Sequence, residues 1–480
     1  MRRIANELTA FMLYAMTAIA LPAQTFTTLL SFNGTDGADP QGAALIQTID
    51  GDLYGTTSNG GANQQGTIFK IAPDGTLTTL YSFCSQSGCS DGANPFATLL
   101  QGADGDFYGT TYEGGAAGYG TVFKITPSDT LTTLYSFCSL SDCTDGANPQ
   151  SGLVQANNGD LYGTTLQGGA NDVCGVGCGT VFKITPSGVL TTLYRFCTQS
   201  GCADGEYPHA GLVQTANGDL YGTTAAGGND YDAGTVFKIT PSGTLTTLYS
   251  FCAQSGCVDG SDPVAGLILA ANGGFYGTTE QGGANDLGTV FKITPSGALT
   301  TLHSFCAQSG CPDGAEPLTA LVQATNGDLY GTTSDYGIAY KTGTIFEITP
   351  GGTLTTLHSF NPSDGYHPGT LMQATNGIFY GTTVYGGANN DGILFSLSVG
   401  LGPFVKVQPT FGKVGEVVKI LGNDLTGATS VSFNGTPAAI TFVSPTEIST
   451  TVPSGATTGK VQVTTSGRTL VSNLSFRVFP

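Results

Sequence analysis

The sequence has no tryptophan, only four histidines, and charged residues at just 10% of its 480 positions. So little charge excludes a charged disordered chain and a helical bundle with a charged surface. Basic residues are the scarcer kind, with 15 Lys and Arg against 34 Asp and Glu and a formal net charge of -19. Because that charge repels phosphate, nucleic acid and anionic membranes are poor partners, whereas glycans, cations and basic peptides remain open.

Long apolar runs are also missing beyond the first 23 residues. Residues 1–23 begin with Arg2 and Arg3, continue through an uncharged, mostly apolar stretch from Leu8 to Leu21, and end in small residues. This pattern predicts a secretory signal peptide, cleaved after Ala23 or Ala20, and an uncleaved anchor is the alternative. We therefore expect an exported monomer, extracellular, on the cell surface or periplasmic, with no transmembrane segment in the mature chain.

Glycine, by contrast, is abundant at 72 residues, and much of it belongs to a repeat. The motif Tyr-Gly-Thr-Thr occurs seven times, beginning at Tyr54, Tyr108, Tyr162, Tyr221, Tyr276, Tyr330 and Tyr380. Around each copy lie four short segments rich in Val, Ile, Thr and aromatic residues, bounded by Gly, Asn, Asp or Pro. Such segments predict four strands joined by tight turns in every unit.

The repeat predicts an all-β fold with two parts. Residues 24–399 are expected to form a seven-bladed β-propeller of four-stranded blades, and residues 402–480 an immunoglobulin-like β-sandwich. A solenoid is the alternative for the repeats. The ring is favoured because residues 25–32 resemble a fourth strand placed before the first unit, while the last unit stops after residue 398 without one. The N-terminal strand would then close the last blade and leave no open sheet edge.

Two family resemblances follow from these motifs. The repeats, with Tyr-Gly-Thr-Thr, Gly-Gly-Ala-Asn and Gly-Thr-Val-Phe-Lys-Ile, resemble the GloVer tandem-repeat family of exported bacterial proteins. That resemblance implies export and often a C-terminal anchoring element, for which this sequence shows no sorting tail, and it implies no activity. Residues 402–480, with Pro409, Gly412, Gly415 and Val431–Gly435, look like an IPT/TIG domain, which in extracellular proteins is a spacer or an interaction module.

The twelve cysteines fall into six local pairs. They are Cys84/Cys89, Cys138/Cys143, Cys174/Cys178, Cys197/Cys202, Cys252/Cys257 and Cys306/Cys311. Five pairs follow the fourth strand, and the two units without a pair are four residues shorter at that place. Because both cysteines arrive in one insertion, each pair is expected to form a disulfide within its own loop, as in an oxidising compartment. A metal site is the alternative, and it lacks further ligands nearby.

The predicted binding surface is the loop face, which consists of the loops between second and third strands and the segments that lead from one unit to the next, cysteine loops included. Both emerge on the same side of a four-stranded meander, and loops on a rigid scaffold commonly carry function. Aromatic and polar residues there suit stacking on sugars or peptide side chains, unless they are merely tolerated loop variations. The predicted ligand-binding residues are Glu206, Tyr207, His209, Tyr231, Asp232, Tyr336, Tyr340, Lys341, Tyr366 and His367.

An Asp-Gly-x-x-Pro element occurs on this face in every unit. Its aspartates are Asp36, Asp91, Asp145, Asp204, Asp259, Asp313 and Asp364. A structural calcium ion is one interpretation, and no other cofactor is predicted. A turn that directs the chain into the next unit is favoured, because one aspartate per unit around a wide ring cannot converge on a cation.

Catalytic motifs are missing too. Neither Gly-x-Ser-x-Gly nor His-Glu-x-x-His occurs, and Arg195 is the single arginine of the repeats, which excludes an arginine cluster like that of sialidases. Without tryptophan the repeats do not resemble quinoprotein-type propellers, whose blades carry tryptophan docking motifs. His303 and His358 occupy a strand position where tyrosine is usual. We therefore expect no enzyme but a secreted or surface binding protein whose loop face recognises a glycan or an extracellular protein. The alternatives are a glycan-cleaving lyase or glycosidase and a structural surface protein without a small ligand.

Overall fold

The computed structural model describes residues 24–41, 44–156, 158–169, 174–337 and 342–479. The fold is all-β, as predicted, and is dominated by repeated four-stranded sheets. The predicted signal peptide, residues 1–23, lies outside the described residues. Among the residues described, no helix is both long and apolar enough to cross a membrane.

The first strand, β1 (Thr25–Ser31), precedes six four-stranded sheets of the same antiparallel order. Sheet one contains β2 (Ile46–Gln47), β3 (Leu53–Thr57), β4 (Thr67–Ile71) and β5 (Leu77–Ser82). Sheet two contains β6 (Leu100–Gln101), β7 (Phe107–Thr111), β8 (Thr121–Ile125) and β9 (Leu131–Ser136). Sheet three contains β10 (Val154–Gln155), β11 (Leu161–Thr165), β12 (Thr180–Ile184) and β13 (Leu190–Arg195). Sheet four contains β14 (Val213–Gln214), β15 (Leu220–Thr224), β16 (Thr235–Ile239) and β17 (Leu245–Ser250). Sheet five contains β18 (Ile268–Leu269), β19 (Phe275–Thr279), β20 (Thr289–Ile293) and β21 (Leu299–Ser304). Sheet six contains β22 (Val322–Gln323), β23 (Leu329–Thr333), β24 (Thr344–Ile348) and β25 (Leu354–Ser359).

Sheet seven is the exception, because its outer strand comes from the other end of the repeats. It contains β26 (Tyr366–Pro368), β27 (Met372–Gln373), β28 (Phe379–Tyr385), β29 (Ile393–Ser398) and β1. β1 pairs antiparallel with β29 from Thr25 opposite Ser398 to Ser31 opposite Ile393. The ring of Phe26 in β1 also stacks on His358 of sheet six, with the ring centroids 3.9 Å apart.

Neighbouring sheets pack face to face. Tyr108, Val122 and Phe137 of sheet two share one hydrophobic cluster with Leu161 and Phe182 of sheet three, and equivalent clusters join the other sheets. Sheets seven and one are joined in the same way. Their cluster contains Phe32, Leu45, Phe69, Met372 and Leu394.

The first threonine of Tyr-Gly-Thr-Thr adds a hydrogen bond from each sheet to the next. The hydroxyl of Thr56 donates to the carbonyl of Ala97 at 3.2 Å, and that of Thr164 donates to Ala210 at 3.0 Å. The hydroxyl of Thr382 in sheet seven donates to Pro40 ahead of sheet one at 3.1 Å. The repeated threonine therefore explains part of the motif, since each one is buried and partnered.

The C-terminal module, from residue 402, folds into two sheets around one hydrophobic cluster that includes Val405, Ile420, Val431, Val463 and Phe476. One sheet contains β30 (Lys406–Gln408), β32 (Val417–Leu421), β35 (Ile440–Val443) and β36 (Glu447–Thr451). The other contains β31 (Phe411–Lys413), β33 (Ala428–Phe433), β34 (Thr436–Ala438), β37 (Gly459–Thr465) and β38 (Thr469–Phe479). This arrangement agrees with the predicted sandwich.

Short 3-10 turns complete the described secondary structure. Four of them lie in cysteine loops and one in the C-terminal module: Ser87–Cys89, Ser141–Cys143, Ser200–Cys202, Ser255–Cys257 and Leu425–Gly427. The loop that ends at Cys311 differs from the other four, because its described residues form ordinary turns without a 3-10 segment.

The predicted disulfides are confirmed, each within its own loop. They join Cys84 to Cys89, Cys138 to Cys143, Cys174 to Cys178, Cys197 to Cys202, Cys252 to Cys257 and Cys306 to Cys311. The alternative of a metal site at each pair is thereby set aside, since the sulfurs are bonded to one another.

The module contacts the repeats at the end opposite the loop face, where first and second strands are joined by tight turns. The amide of Phe404 donates to the carbonyl of Thr375 at 2.9 Å, and the guanidinium of Arg477 donates to the carbonyl of Gln214 at 3.0 Å. The module thereby contacts sheets as far apart in sequence as four and seven, and it leaves the loop face uncovered.

Candidate functional site: the loop face

The two kinds of loop lie side by side across the loop face. In each sheet, the residue before the proline of Asp-Gly-x-x-Pro has a left-handed backbone, and its amide donates to a loop of the preceding sheet. The seven amide-to-carbonyl bonds run from Asp39 to Asp391, Asn94 to Gln65, Asn148 to Tyr119, Tyr207 to Cys178, Asp262 to Ala233, Glu316 to Leu287 and His367 to Thr342. The first of these bonds, from Asp39 to Asp391, links sheets seven and one, so the loops form one continuous surface.

Five of the seven repeated aspartates bind the cysteine loop that precedes them: Asp91, Asp145, Asp204, Asp259 and Asp313. Asp91 is fully buried, and its carboxylate accepts hydrogen bonds from the Tyr81 hydroxyl at 2.8 Å and from the amides of Ser85 and Gln86 at 2.9 and 3.2 Å. The favoured turn interpretation is therefore corrected, because the carboxylate binds the loop that precedes it instead of turning the chain that follows.

The second cysteine of each of these loops joins the two kinds of loop within one sheet. Cys311 has a left-handed backbone, with φ of 46°, and its carbonyl accepts the amides of Gly314 at 3.0 Å and Gly337 at 3.2 Å. Gly337 belongs to the loop between the second and third strands of sheet six. Carbonyls of the equivalent cysteines accept the same two amides in the other sheets: Cys89, Cys143, Cys202 and Cys257.

Cys311 lies in a cysteine loop of the loop face, as predicted. Its disulfide with Cys306 is as predicted, and the residue is only 5% exposed. The two hydrogen bonds to its carbonyl are the physical reason, because they draw the end of the cysteine loop against the neighbouring loop. Cys311 is therefore part of the support of the loop face and does not belong to its accessible surface.

The two substituted histidines serve the same loops. His303 contacts the Asp313 carboxylate at 2.9 Å, and His358 contacts the Asp364 carboxylate at 3.2 Å, each through Nε2. Besides packing in their strands as predicted, these histidines contact the aspartate carboxylate, as the tyrosine hydroxyls do in other units.

Three of the predicted site residues come together in sheet four and form what we call the Glu206 cluster: Glu206, Tyr207 and Asp232. Burial, followed by the charges of Asp232 and Asp204, raises the pKa of Glu206 to about 7. Burial and the charges of Glu206 and Asp232 also raise the pKa of Tyr207. Tyr231 lies next to this cluster and is 73% exposed, so its ring is available to a ligand.

The Glu206 cluster is one end of a row of carboxyl groups that the sequence analysis missed. Burial, then Asp232 and Asp286, raise the pKa of Asp262. Burial, then Asp262 and Glu316, raise the pKa of Glu280. The only signal in the sequence was that acidic residues recur at equivalent loop positions of units four to six. The spacing alone does not predict that their carboxyl groups lie close together.

A second group, the Tyr385 cluster, lies in sheet seven and consists of Tyr366, His367 and Tyr385. The ring centroids of Tyr366 and Tyr385 are 5.3 Å apart, and those of His367 and Tyr385 are 5.9 Å apart. The Tyr366 hydroxyl donates to the Asn390 side chain at 3.0 Å. Tyr385 was not predicted, because it follows an ordinary Tyr-Gly-Thr-Thr motif and only the pairing of β26 with β28 sets it opposite Tyr366.

Carboxylates flank the Tyr385 cluster. Asp391 follows Asn390 directly, and burial together with the charges of Asp39 and Asp36 raises its pKa. The cluster therefore offers three partly exposed rings, an amide side chain and acidic oxygen acceptors on one stretch of the loop face.

The remaining predicted residues fall outside these two clusters. His209 points between sheets, where its Nδ1 lies 2.9 Å from the Gln150 side-chain oxygen, and burial lowers its pKa. Tyr336 lies in the loop of sheet six with a left-handed backbone. Tyr340 and Lys341 lie outside the described residues.

Sulfur atoms border the Glu206 cluster. The possible metal-binding atoms of Cys174, Cys178, Cys197 and Glu206 all lie within 4.8 Å of one another. The three cysteines belong to the Cys174–Cys178 and Cys197–Cys202 disulfides, so their sulfurs are already bonded. The group brings two disulfides and a carboxyl together at one corner of the loop face.

Family comparisons agree with the two-part organisation. A family model described as the Gloeobacter/Verrucomicrobia repeat matches residues 12–228, 176–395 and 254–436. A second, described as the IPT/TIG domain, matches residues 404–478. Curated proteins gave no match to this chain.

Solved structures are similar in fold at low sequence identity. A fungal alcohol oxidase of the AA5 family, in complex with copper, is 13% identical to this chain, with a TM-score of 0.51. The alignment covers 92% of this chain and 98% of the oxidase. A proposed 6-phosphogluconolactonase from Bacteroides fragilis is 20% identical with a TM-score of 0.45, covering 78% and 90%. An auxiliary nutrient binding protein from Bacteroides ovatus is 12% identical with a TM-score of 0.41, covering 78% and 76%. The oxidase shares the overall fold across both parts of this chain, and nothing about its chemistry carries over at that identity.

Proposed function

We propose, on the premise that this chain belongs to the Gloeobacter/Verrucomicrobia repeat family and carries an IPT/TIG domain, that it is an exported glycan-binding protein whose ligand lies on the loop face. Export is supported by the pattern of residues 1–23 and by six disulfides, which persist in oxidising compartments. The IPT/TIG domain is the spacer or second contact in this proposal.

The scaffold of the proposal is a closed seven-bladed propeller whose last blade is completed by β1. Three contacts support closure: the pairing of β1 with β29, the bond from Thr382 to Pro40, and the bond from Asp39 to Asp391. Closure fixes all seven loops relative to one another, and a fixed array loses little conformational entropy when it binds.

The observation that carries the glycan proposal is the Tyr385 cluster. Sugars present flat apolar C–H faces and a rim of hydroxyls, so they pack on aromatic rings while their hydroxyls donate to carboxylate and amide oxygens. Tyr366, His367 and Tyr385 supply the rings, and Asn390 and Asp391 supply acceptors beside them.

The test uses residues 24–480, produced with their disulfides, on an array of plant, fungal and bacterial polysaccharides. We expect a binding polysaccharide whose affinity falls at least tenfold, or ~1.4 kcal/mol, in Tyr366→Ala and in Tyr385→Ala. Tyr119→Ala is the matched control, because Tyr119 is 38% exposed in the loop of sheet two and lies outside both clusters. Equal losses in all three variants, or capture of proteins alone, would contradict the proposal.

A glycan-cleaving enzyme is the second candidate, and the Glu206 cluster favours it. A carboxyl that is protonated near neutral pH, within hydrogen-bonding reach of a second carboxyl, has the properties of a general acid paired with a base. Digests of the same polysaccharides should then release reducing ends or unsaturated products, and Glu206→Gln should abolish that release while leaving binding intact. If prolonged incubation with these polysaccharides released no product, this candidate would be rejected.

A further inference from the structure

Charge is divided unequally between the two parts of the chain. The C-terminal module from residue 402 has six basic and three acidic residues, whereas residues 24–401 have seven basic and 30 acidic residues. The module is therefore positively charged, whereas the repeats are strongly acidic. Two of its three acidic groups are already used in ion pairs, Glu447 with Lys419 at 3.3 Å and Asp424 with Arg468 at 3.5 Å.

Three cations of the module have only neutral partners among the described residues. The Lys406 amine lies 3.6 Å from the Met372 sulfur, the Lys460 amine contacts the Asn473 carbonyl, and the Arg477 guanidinium contacts the Gln214 carbonyl. Burial lowers the pKa of all three, and that of Lys406 falls to about 8. A desolvated cation without a counter-ion is costly, so this arrangement favours an incoming anion.

One of these cations, Lys406, lines a cavity of about 170 Å³. Lys406, Gln408, Thr410, Asn473 and Ser475 supply its polar lining. The backbone amide of Arg477 donates to the carbonyl of Thr410, so the strand that carries Arg477 is hydrogen-bonded to the cavity wall.

A second cavity of about 160 Å³ shares Gln408 with the first and extends to the repeats. Gln101 lines it, and the Gln101 side-chain oxygen is buried without a hydrogen-bond partner among the described residues. At the equivalent position of other sheets the glutamine oxygen accepts an amide of the preceding sheet. The bonds run from Thr375 to Gln47, Ala103 to Gln155, Ala271 to Gln323 and Thr325 to Gln373.

We propose that these adjacent cavities bind a sugar acid, with its carboxylate at Lys406 and one of its hydroxyls donating to Gln101. A uronic acid carries both a carboxylate and hydroxyl groups, and a cavity of this size suits a single sugar unit instead of a polysaccharide. This junction lies opposite the loop face, so the inference stands or falls separately from the glycan site proposed above.

The experiment titrates glucuronate into residues 24–480 by calorimetry, with glucose as the uncharged probe. Glucuronate should bind once per chain, and glucose should bind at least tenfold more weakly. Lys406→Met, which keeps the length of the side chain and removes the charge, should weaken glucuronate at least tenfold. Lys413→Met, a lysine of the same module outside both cavities, should leave it unchanged.

A measurement on the unaltered protein guards against misfolding of the variant. Limited acetylation at pH 8, followed by peptide mass spectrometry, should label Lys406, and saturating glucuronate should reduce that labelling at least fivefold without protecting Lys413. Unchanged labelling of Lys406 in glucuronate, or equal affinities for glucuronate and glucose, would overturn the inference.

Discussion

Glu206 occupies a repeat position that carries Ala, Ser or Tyr in all six other units, and its surroundings change what its carboxyl does. Burial and two neighbouring carboxylates move its pKa from the usual 4.5 to about 7. The folded protein therefore holds a proton there between those two pH values that the unfolded chain releases. Its contribution to stability is complete below pH 4.5 and is lost as the pH rises through 7.

Replacing Glu206 by Gln should abolish this dependence, because the amide mimics the protonated acid and never ionises. We expect Glu206→Gln to unfold at the same denaturant concentration as the wild type at pH 5 and to be more stable at pH 8. The difference should be about 1 kcal/mol, which allows for screening of a partly exposed group. Urea titrations at both pH values measure it, with Glu113→Gln as the control on the loop of sheet two. A constant difference across pH would contradict the prediction.

The second strand of every sheet is shaped by the glycine of Tyr-Gly-Thr-Thr. A Cβ placed on Gly163 in β11 would lie 2.7 Å from the Phe182 ring and 2.8 Å from the Leu153 side chain. Both neighbours belong to packed clusters between sheets, so neither can retreat freely. The glycine thus lets the phenylalanine of the third strand lie flat across the second strand.

Gly163→Ala should therefore destabilise the protein by about 1–3 kcal/mol through overpacking. Gly351→Ala is the matched control, since its added Cβ would meet only the Thr349 hydroxyl at 3.8 Å. Thermal unfolding of both variants measures the difference. Equal melting temperatures would show that the strand can shift to admit a methyl group.

At the scale of the whole molecule, the ends of the repeats meet in sheet seven. The first described strand supplies the outer edge, and residues ahead of sheet one bond to residues of sheet seven. In the closed propeller proposed above, stability is shared around the ring, because opening one interface exposes two sheet faces and an unpaired edge.

Cysteines at Thr27 and Ser396 offer a direct test of the closure proposed above, since these residues are register partners in β1 and β29. Paired strand residues lie about 4.5–5.5 Å apart between Cα atoms, within the range of a disulfide. We expect Thr27→Cys with Ser396→Cys to form a cross-link within one chain, found by peptide mass spectrometry. Thr27→Cys with Ser398→Cys, offset by two residues, should cross-link far less. Cross-links between chains would instead indicate exchange of β1 between molecules.

By itself the sequence determined the strands, the local disulfides and the two-part organisation, because each depends on a short pattern repeated at regular spacing. The packing decided what single units cannot show: Tyr385 beside Tyr366, the Asp262 and Glu280 carboxyls in one row, and His209 against Gln150. These contacts join residues far apart in sequence, and only the register of the strands and the contacts between loops and sheets bring them together. The contacts of Lys406 with Met372 and of Arg477 with Gln214 belong to the same class, since they join the two parts of the chain and leave no trace in the order of residues.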